Sequence, residues 1–348
     1  MANIMMTDVC NLNCPYCFAN EFVNKDRNEI SEEIFDEAVN FIVGDGTHSS
    51  VGLIGGEPTI HSKFEFFLRK LIKDERVKSI MVYTNGIAID KYWDVITHNK
   101  VHLLINCNPP QDIGEKNFEK LCENLDRLLI DKVFKENVTL GINMYNPNFE
   151  YDYILKLLIK YGFDRVRVSI TVPNMDENRN VDAHSYFETI KPRLFEFFHE
   201  LLKNNIIPHF DCNKIPSCLI NDSELHQFRE YMKSKFILDN VGRSNISNNL
   251  VKCSPVIDIR QDLTAVRCFG LSEHTKQNIR DFKGIKDLEN YYIRTIDAFA
   301  FNTVYSGKCV DCYERKTLKC NGGCLAFKIN DILDARNYIS EKLKIKGE

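Results

Sequence analysis

Residues 10–18 read Cys10-Asn-Leu-Asn-Cys14-Pro-Tyr-Cys17-Phe and directly follow a short apolar run at residues 3–7. Three residues separate the first two cysteines, and two residues separate the second from the third. Iron–sulfur clusters are normally held by four cysteines, so three on one loop could occupy three corners of a cube and leave one iron open. The alternatives are a partial zinc site or a loop without redox chemistry. Zinc favours paired C-x-x-C motifs or histidine ligands, and no matching histidine lies nearby.

This cysteine spacing resembles the signature of the radical S-adenosylmethionine (radical SAM) enzymes. The resemblance implies that Cys10, Cys14 and Cys17 hold a [4Fe–4S] cluster whose open iron chelates the methionine part of S-adenosylmethionine. It also implies reductive cleavage of that cofactor to a 5′-deoxyadenosyl radical, which abstracts a hydrogen atom from the substrate. Since oxygen should destroy such an exposed cluster, we expect the protein to require anaerobic handling.

The composition of the whole chain excludes several classes of protein. Its 348 residues have room for one large domain and a smaller one. A net charge of −4 without basic runs argues against a nucleic-acid partner. No stretch approaches the ~20 apolar residues of a membrane span, and the cysteine loop begins too early for a signal peptide. The 13 cysteines, without a secretion signal, predict thiols or metal ligands in the reducing cytoplasm.

Strand and helix patterns alternate six times within the first 205 residues or so. Such alternation predicts an α/β fold with a parallel sheet covered by helices, either open or curled into a barrel. The family resemblance implies a partial (β/α)6 barrel of the TIM type, with the chemistry at the carboxyl ends of the strands. The predicted strands are residues 3–7, 51–54, 79–83, 101–107, 138–144 and 166–170.

The tetrapeptide Gly55-Gly56-Glu57-Pro58 directly follows the second predicted strand. Two glycines let the backbone approach a ligand closely, and a carboxylate can pair with an ammonium group. An ordinary strand-to-helix turn would explain the same residue types. About forty residues after the cysteine loop, the motif resembles the family's site for the amino group of the methionine part. All four residues are therefore predicted to bind the cofactor.

Further cofactor contacts are implied by the resemblance. Tyr16 matches the aromatic position whose backbone meets the adenine, and Thr84 opens a Thr-Asn-Gly turn that matches the family's turn after its third strand. Asn143 and Ser169 lie near the ends of the fifth and sixth predicted strands, from which family members contact ribose or carboxylate groups. Solvated polar residues at strand ends would explain the last two equally well.

The second half of the chain has a different character. The alternation stops after a helical stretch interrupted by Pro192, which is predicted to end one helix or begin the next. We therefore predict a barrel domain at residues 1–205 and a cysteine-rich domain at residues 206–348. The eight cysteines of the second part are Cys212, Cys218, Cys253, Cys268, Cys309, Cys312, Cys320 and Cys324. Two sets of four could hold two more [4Fe–4S] clusters, or the last four could form a zinc ribbon.

This arrangement resembles the SPASM extension of radical SAM enzymes, which carries two auxiliary clusters, giving three [4Fe–4S] clusters in all. In that extension two cysteines frame a hairpin, here formed by 257–260 and 264–267 between Cys253 and Cys268. Leu263 occupies the usual glycine position, so the turn is expected to differ. The spacing after Cys312 is also longer than usual, and no cysteine follows Cys324.

The resemblance implies ligands for each auxiliary cluster. Cys253, Cys268 and Cys324 are assigned to the nearer cluster, and Cys309, Cys312 and Cys320 to the farther one. Cys212 and Cys218 would supply the missing corners. The two remaining cysteines, Cys107 and Cys122, are predicted to be core residues.

The resemblance implies an oxidative modification or crosslinking, such as a thioether, of a peptide or protein substrate. An electron donor such as flavodoxin or ferredoxin is the expected second partner. The sulfatase-maturing branch places an acidic base directly after the second hairpin cysteine. Phe269 stands there in this chain, which disfavours that branch, and no catalytic acid or base is identified. A radical enzyme acting on a small molecule and a non-catalytic iron–sulfur carrier or sensor are the alternatives.

Overall fold

The predicted alternation of strands and helices builds one sheet. The computed structural model describes residues 2–17, 19, 23–129, 134–171, 183–210, 253, 255–298, 311–317 and 324–325. In this part of the chain ten strands pair in the order β10-β9-β8-β1-β2-β3-β4-β5-β6-β7. The strands are β1 (Ala2–Met5), β2 (Ser50–Ile54), β3 (Ser79–Thr84), β4 (Val101–Asn106), β5 (Val138–Met144), β6 (Arg165–Ile170), β7 (Ile207–Phe210), β8 (Ile257–Ile259), β9 (Thr264–Val266) and β10 (Gln277–Asn278).

Helices connect the parallel strands. The α-helices are α1 (Glu32–Val43), α2 (Phe64–Lys73), α3 (Trp93–Ile96), α4 (Pro110–Ile113), α5 (Glu115–Leu129), α6 (Asp152–Lys160), α7 (Ala183–Lys203), α8 (Ser272–Thr275), α9 (Ile285–Tyr292) and α10 (Tyr313–Lys316). Helix α1 begins as its sequence predicts, because Ser31 Oγ accepts a hydrogen bond from Ile34 N–H at the first turn. All six predicted strand regions are confirmed, and the sheet is not closed by the described strands, as expected of a partial barrel.

The two faces of the sheet differ in character. On β1, Ala2 and Ile4 are buried in the apolar core that the sheet shares with the helices. Asn3 points the other way, because successive side chains of a strand alternate between faces. Its amide fits only because β2 carries Gly52 opposite, where a Cβ atom would lie 1.9 Å from Asn3 Oδ1. The helix-covered face therefore stabilises the fold, and the opposite face carries polar groups.

Pro192 does not interrupt α7, contrary to prediction, and the helix runs through it. A proline inside a helix costs about 3 kcal/mol, through its missing N–H and a steric clash. Burying one large apolar side chain contributes roughly 1.5–3 kcal/mol. Pro192 lies on the exposed side of the helix, so water can reach the carbonyl that it leaves without a donor. The buried stripe on the other side outweighs the cost and consists of Ile190, Leu194, Phe197 and Leu201.

The strands beyond residue 205 belong to the same sheet as those before it. β7, which was not predicted, begins just after the predicted boundary and pairs in parallel with β6. β8 and β9 form the predicted antiparallel hairpin, and β8 pairs in parallel with β1. The side chain of Arg280 makes two further hydrogen bonds, of 2.7 and 2.8 Å, to Glu37 on α1. The cysteine-rich part thus extends the barrel's sheet.

Among the helices of the described part of the chain, none is both long and apolar enough to cross a membrane.

Candidate active site at the carboxyl ends of the strands

The cysteine loop leaves the carboxyl end of β1 and is held by a second loop segment. Asn24 Oδ1 accepts a hydrogen bond from Cys10 N–H at 2.8 Å, and Asp8 O accepts one from Asn24 N–H at 2.8 Å. Within the loop, Cys17 N–H donates to Cys14 O at 3.1 Å. These hydrogen bonds keep the cysteines at the end of the strand at which the sequence places them.

The three thiols of this loop are half-buried and do not form disulfides. Burial raises the pKa of Cys10 to about 11 and that of Cys14 to about 12. For Cys14 the next causes are the charges of Cys10 and Cys17, which shows that the thiols lie close to one another. Burial likewise raises the pKa of Cys17. A cationic iron centre would reverse these shifts by stabilising the thiolates.

The donor set fits an iron–sulfur cluster better than a single metal ion. Within the described ranges no three His, Cys, Asp or Glu side chains converge as the ligands of one ion would. The corner ligands of a cubic cluster lie further apart than the ligands around a single ion. Three neighbouring thiols at a strand end are therefore compatible with the cluster that the sequence predicts.

Gly55 and Gly56 bring the loop after β2 against the cysteine loop. Gly56 N–H donates to Thr7 O at 2.7 Å, and the next amide donates to Val9 O at 2.9 Å. A Cβ atom on Gly55 would lie 2.5 Å from Thr7 O, and one on Gly56 would lie 2.3 Å from Val9 O. The glycines are thus required for contact within the protein, whereas the sequence predicted close approach to a ligand.

Glu57 is buried at the centre of this junction, with 1% of its surface exposed. Its Oε1 accepts hydrogen bonds from the Thr59 amide and hydroxyl and from Thr84 Oγ1, and its Oε2 accepts one from Asn85 N–H at 2.7 Å. Burial raises the pKa of Glu57, and these four donors oppose that rise. The carboxylate therefore joins the loops after β2 and β3, and its predicted pairing with an ammonium would use the remaining acceptor capacity of Oε2.

Pro58 and Thr84 complete the junction. Pro58 is buried and opens a short 3₁₀ turn, Pro58–Ile60. Thr84 Oγ1 also accepts a hydrogen bond from Gly86 N–H at 3.0 Å. Its neighbour Asn85 donates from Nδ2 to Asn11 Oδ1 at 2.7 Å and so ties the loop after β3 to the cysteine loop. Asn85 is the middle residue of the predicted Thr-Asn-Gly turn, and no role was predicted for it.

Tyr16 reaches from the cysteine loop to the end of β4. Its hydroxyl donates to Asn108 Oδ1, and its ring packs on Tyr145 with centroids 5.1 Å apart. Asn108 Nδ2 lies 3.6 Å from Cys14 Sγ, within hydrogen-bonding range of sulfur. No role was predicted for Asn108, although it is the second asparagine at the end of the fourth strand, after Asn106.

Asn143 and Ser169 are brought side by side as paired positions of β5 and β6. Asn143 Oδ1 accepts a hydrogen bond of 2.7 Å from Arg167 Nη1, and Ser169 is buried. On the neighbouring strand, Asn106 Oδ1 is buried and has no hydrogen-bond partner among the described residues. These residues lie near the carboxyl ends of their strands, which is the end of the sheet at which the cysteine loop follows β1.

A buried charge cluster lies in the cysteine-rich part. Arg267 is fully buried, and its Nε donates to Asp297 Oδ1 at 2.6 Å. The same guanidinium donates to Cys253 Sγ and to the carbonyl of that residue, each at 3.4 Å. Nearby charges on Cys253 and Asp297 favour the protonated guanidinium and raise its pKa against the effect of burial. This group of side chains includes Cys253, which is a predicted ligand of the nearer auxiliary iron–sulfur cluster.

Leu263 takes the conformation expected of the glycine it replaces. Its φ of 64° is in the left-handed region, and its side chain is 1% exposed. Burial of the Leu263 side chain compensates for this unfavourable backbone conformation, and the expectation of a different turn stays a prediction. This turn closes the hairpin β8–β9, with Leu263 N–H donating to Arg260 O at 3.0 Å.

The remaining cysteines divide into described and undescribed positions. Cys107 is 1% exposed in the core, and Cys122 packs against that core, as predicted. Cys268 is half-buried and Cys324 is buried, and Cys312 precedes α10. Outside the described residues lie Cys212, Cys218, Cys309 and Cys320. The ligand assignment of the auxiliary clusters and the zinc-ribbon alternative therefore stay predictions.

Residues 4–131, which contain the cysteine loop and the Gly55–Pro58 motif, match the model of the Radical SAM superfamily. A cysteine-type anaerobic sulfatase-maturating enzyme of Clostridium perfringens is 24% identical over 346 residues, covering 83% of this chain and 92% of the relative. A GTP 3′,8-cyclase of Alkaliphilus oremlandii is 35% identical over 164 residues, covering 43% of this chain and half of the relative. The chain is thus similar over most of its length to a sulfatase-maturating enzyme.

Two solved structures share the fold over most of the chain. The structure of anSMEcpe with bound AdoMet has a TM-score of 0.61 at 18% identity, covering 94% of this chain and 89% of that one. The structure of Streptococcus suis SuiB bound to the precursor peptide SuiA has a TM-score of 0.56 at 18% identity, covering 93% of this chain and 71% of that one. These likenesses establish the architecture around the site.

Proposed function

Because residues 4–131 are a radical SAM domain and the chain is a radical SAM enzyme, we propose that it abstracts hydrogen from a peptide or protein substrate. The product would be an oxidised or crosslinked residue, such as a thioether. The observation that carries this proposal is the gathering of the Cys10, Cys14 and Cys17 thiols beside Glu57 at the carboxyl ends of β1 and β2.

The residues of the site would divide the work. Cys10, Cys14 and Cys17 would hold the [4Fe–4S] cluster, which when bound supplies the electron that cleaves S-adenosylmethionine to methionine and a 5′-deoxyadenosyl radical. The junction of Gly55, Gly56 and Glu57 would orient the amino group of the methionine part. Asn143 and Ser169 would contact the ribose or the carboxylate of S-adenosylmethionine. Enclosure by strand-end loops would exclude water from the radical.

A peptide or protein substrate is supported by the relatives. One relative matures a sulfatase, and one structural neighbour is bound to a precursor peptide. We propose that residues 206–348 form an auxiliary domain with two more [4Fe–4S] clusters, which would accept an electron from the substrate radical or bind a substrate thiolate. A flavodoxin or ferredoxin would supply the initiating electron, and the abundance of cysteines favours the reducing cytoplasm.

The test is iron, sulfide and zinc per chain after anaerobic reconstitution, together with 5′-deoxyadenosine formed on reduction. Three cubic clusters give about twelve irons, and a Cys10/Cys14/Cys17→Ala variant should fall to about eight and form no deoxyadenosine. Cys122→Ala, which removes a core thiol, is the matched control. It should keep the wild-type iron content and still form deoxyadenosine. A result of about four irons with zinc in the wild type, and no iron in the triple variant, would mean that the second part of the chain holds a zinc ribbon and no auxiliary clusters. Deoxyadenosine formation by the triple variant would refute the cluster assignment.

A small-molecule substrate is the second candidate, favoured by the match to a GTP 3′,8-cyclase over 43% of this chain. Peptide libraries, purine nucleotides and sugars can be compared by the deoxyadenosine that each releases above the substrate-free level. Release driven by nucleotides or sugars alone would overturn the peptide proposal and leave the radical chemistry intact.

A further inference from the structure

Asn108 links the end of β4 to the second cysteine of the loop. The side chain is 3% exposed, and its Nδ2 lies 3.6 Å from Cys14 Sγ. Its Oδ1 accepts a hydrogen bond from the Tyr16 hydroxyl. A thiolate can only accept hydrogen bonds. The Tyr16 hydroxyl and the Cys14 sulfur together therefore fix the side-chain amide of Asn108 with its N–H group toward Cys14.

The three thiols of the loop differ in the donors that reach them. Cys10 Sγ accepts from the Leu12 amide of its own loop at 3.4 Å, and Cys17 from the Ala19 amide. Among the described contacts, Cys14 is the thiol to which a side chain from another strand end donates. The Asn108 amide is held in place by the Tyr16 hydroxyl. Tyr16 in turn packs on Tyr145, whose hydroxyl donates to Asp112 Oδ1 at 2.8 Å.

Hydrogen bonds to ligating sulfurs withdraw charge from them and make a cluster easier to reduce. We propose that Asn108 is a positioning residue that donates to Cys14 Sγ and raises the reduction potential of the cluster held by the loop. Tyr16 orients this donor through its hydroxyl. The inference rests on the proposed function, because it requires Cys14 to be an iron ligand.

The test is a redox titration of the reconstituted full-length chain, followed by electron paramagnetic resonance. The signal to follow is the one absent from the Cys10/Cys14/Cys17→Ala variant. Asn108→Leu keeps the volume of the side chain and removes the donor. At the wild-type midpoint, its ratio of reduced to oxidised cluster should fall about tenfold, a shift of about 59 mV for one electron. Tyr16→Phe should shift the ratio in the same direction and by less.

Asn124→Leu is the matched control. Asn124 is as deeply buried as Asn108, and its Nδ2 donates to the backbone oxygens of Gly86 and Ile87 at 2.8 and 2.9 Å. Both hydrogen bonds of this amide go to backbone oxygens, so its loss should lower stability and leave the midpoint unchanged.

The outcomes separate the inference from the proposed function. An unchanged midpoint in Asn108→Leu with full iron content, or an equal shift in Asn124→Leu, overturns the role of Asn108 and leaves the radical chemistry standing. If Asn108→Leu does not fold, Asn108→Ser and Tyr16→Phe decide in its place, and unchanged midpoints in both overturn the role. A wild-type chain whose iron does not depend on the cysteine loop overturns the proposed function, and the inference with it.

Discussion

Asn3 Nδ2 donates a hydrogen bond of 2.7 Å to Asp258 Oδ1 and joins two strands that are 255 residues apart in sequence. Both side chains are buried, and Asn3 Oδ1 has no hydrogen-bond partner among the described residues. A protonated Asp258 could donate to that oxygen, whereas a carboxylate could not. Burial raises the pKa of Asp258 to about 7, against the hydrogen bonds from Asn3 and from the Phe269 amide. The neutral pair therefore fits the junction of the two parts of the sheet.

The raised pKa of Asp258 predicts a pH dependence of stability. An unfolded aspartate has a pKa of about 3.9, so the folded chain binds one more proton between about pH 4 and pH 7. The free energy of unfolding should fall as pH rises through this window, by up to roughly 4 kcal/mol, and level off above it. Asp258→Asn should flatten the profile. Urea unfolding at pH 5 and pH 8 measures it, with the exposed Asp94→Asn as control. An equal slope in Asp258→Asn and wild type would contradict the prediction.

Glu57→Gln should disturb the junction of two loops. An amide offers one oxygen acceptor, so the donors now shared by Oε1 and Oε2 cannot all be satisfied. Leaving a buried donor without a partner costs about 1–3 kcal/mol. We expect thermal destabilisation together with slower formation of deoxyadenosine. Glu29→Gln is the matched control, because that carboxylate also accepts two hydrogen bonds, from Ser62, but is exposed. Similar losses in both variants would argue against a special position of Glu57.

Gly56→Ala should displace the cysteine loop. The added Cβ atom would lie 2.3 Å from Val9 O, and both are backbone positions that cannot rotate away. Iron bound per chain should fall from about twelve toward the roughly eight expected of the Cys10/Cys14/Cys17→Ala variant. Gly46→Ala is the control, because no atom lies within 4 Å of the added Cβ. Its φ of 70° makes the alanine variant less stable by only about 1 kcal/mol, so its iron content should stay normal. Full iron in Gly56→Ala would show that the loop can move without losing its geometry.

Two substitutions at Leu263 should separate backbone strain from side-chain burial. Leu263→Ala loses buried surface and keeps the left-handed conformation, whereas Leu263→Gly loses the surface and relieves the strain. Both should be less stable than wild type, by about 2–4 kcal/mol. The glycine variant should be the more stable of the two by roughly 1 kcal/mol. Equilibrium unfolding of the pair measures the difference, and a more stable alanine variant would mean that the turn carries no strain.

The sequence itself determined the elements and the end of the sheet where the site lies. Apolar periodicity located six strands, and parallel strands place their carboxyl ends at one edge, so the cysteine loop and the Gly55 motif had to meet there. The left-handed turn at Leu263 and the continuity of α7 through Pro192 could not be predicted. In both places burial of apolar side chains in the tertiary structure outweighs a local preference.

Only the tertiary structure decided which side chains touch across that edge. Asn108 donates to Cys14 Sγ and accepts from the Tyr16 hydroxyl, because the loops after β1 and β4 converge. Glu57 likewise accepts from the amide of Asn85, because the loops after β2 and β3 converge. The pairing of β8 with β1, which places Asp258 beside Asn3, was likewise invisible in the sequence. Periodicity is a local property of the chain, whereas hydrogen bonds between residues far apart depend on how the strands are ordered in the sheet.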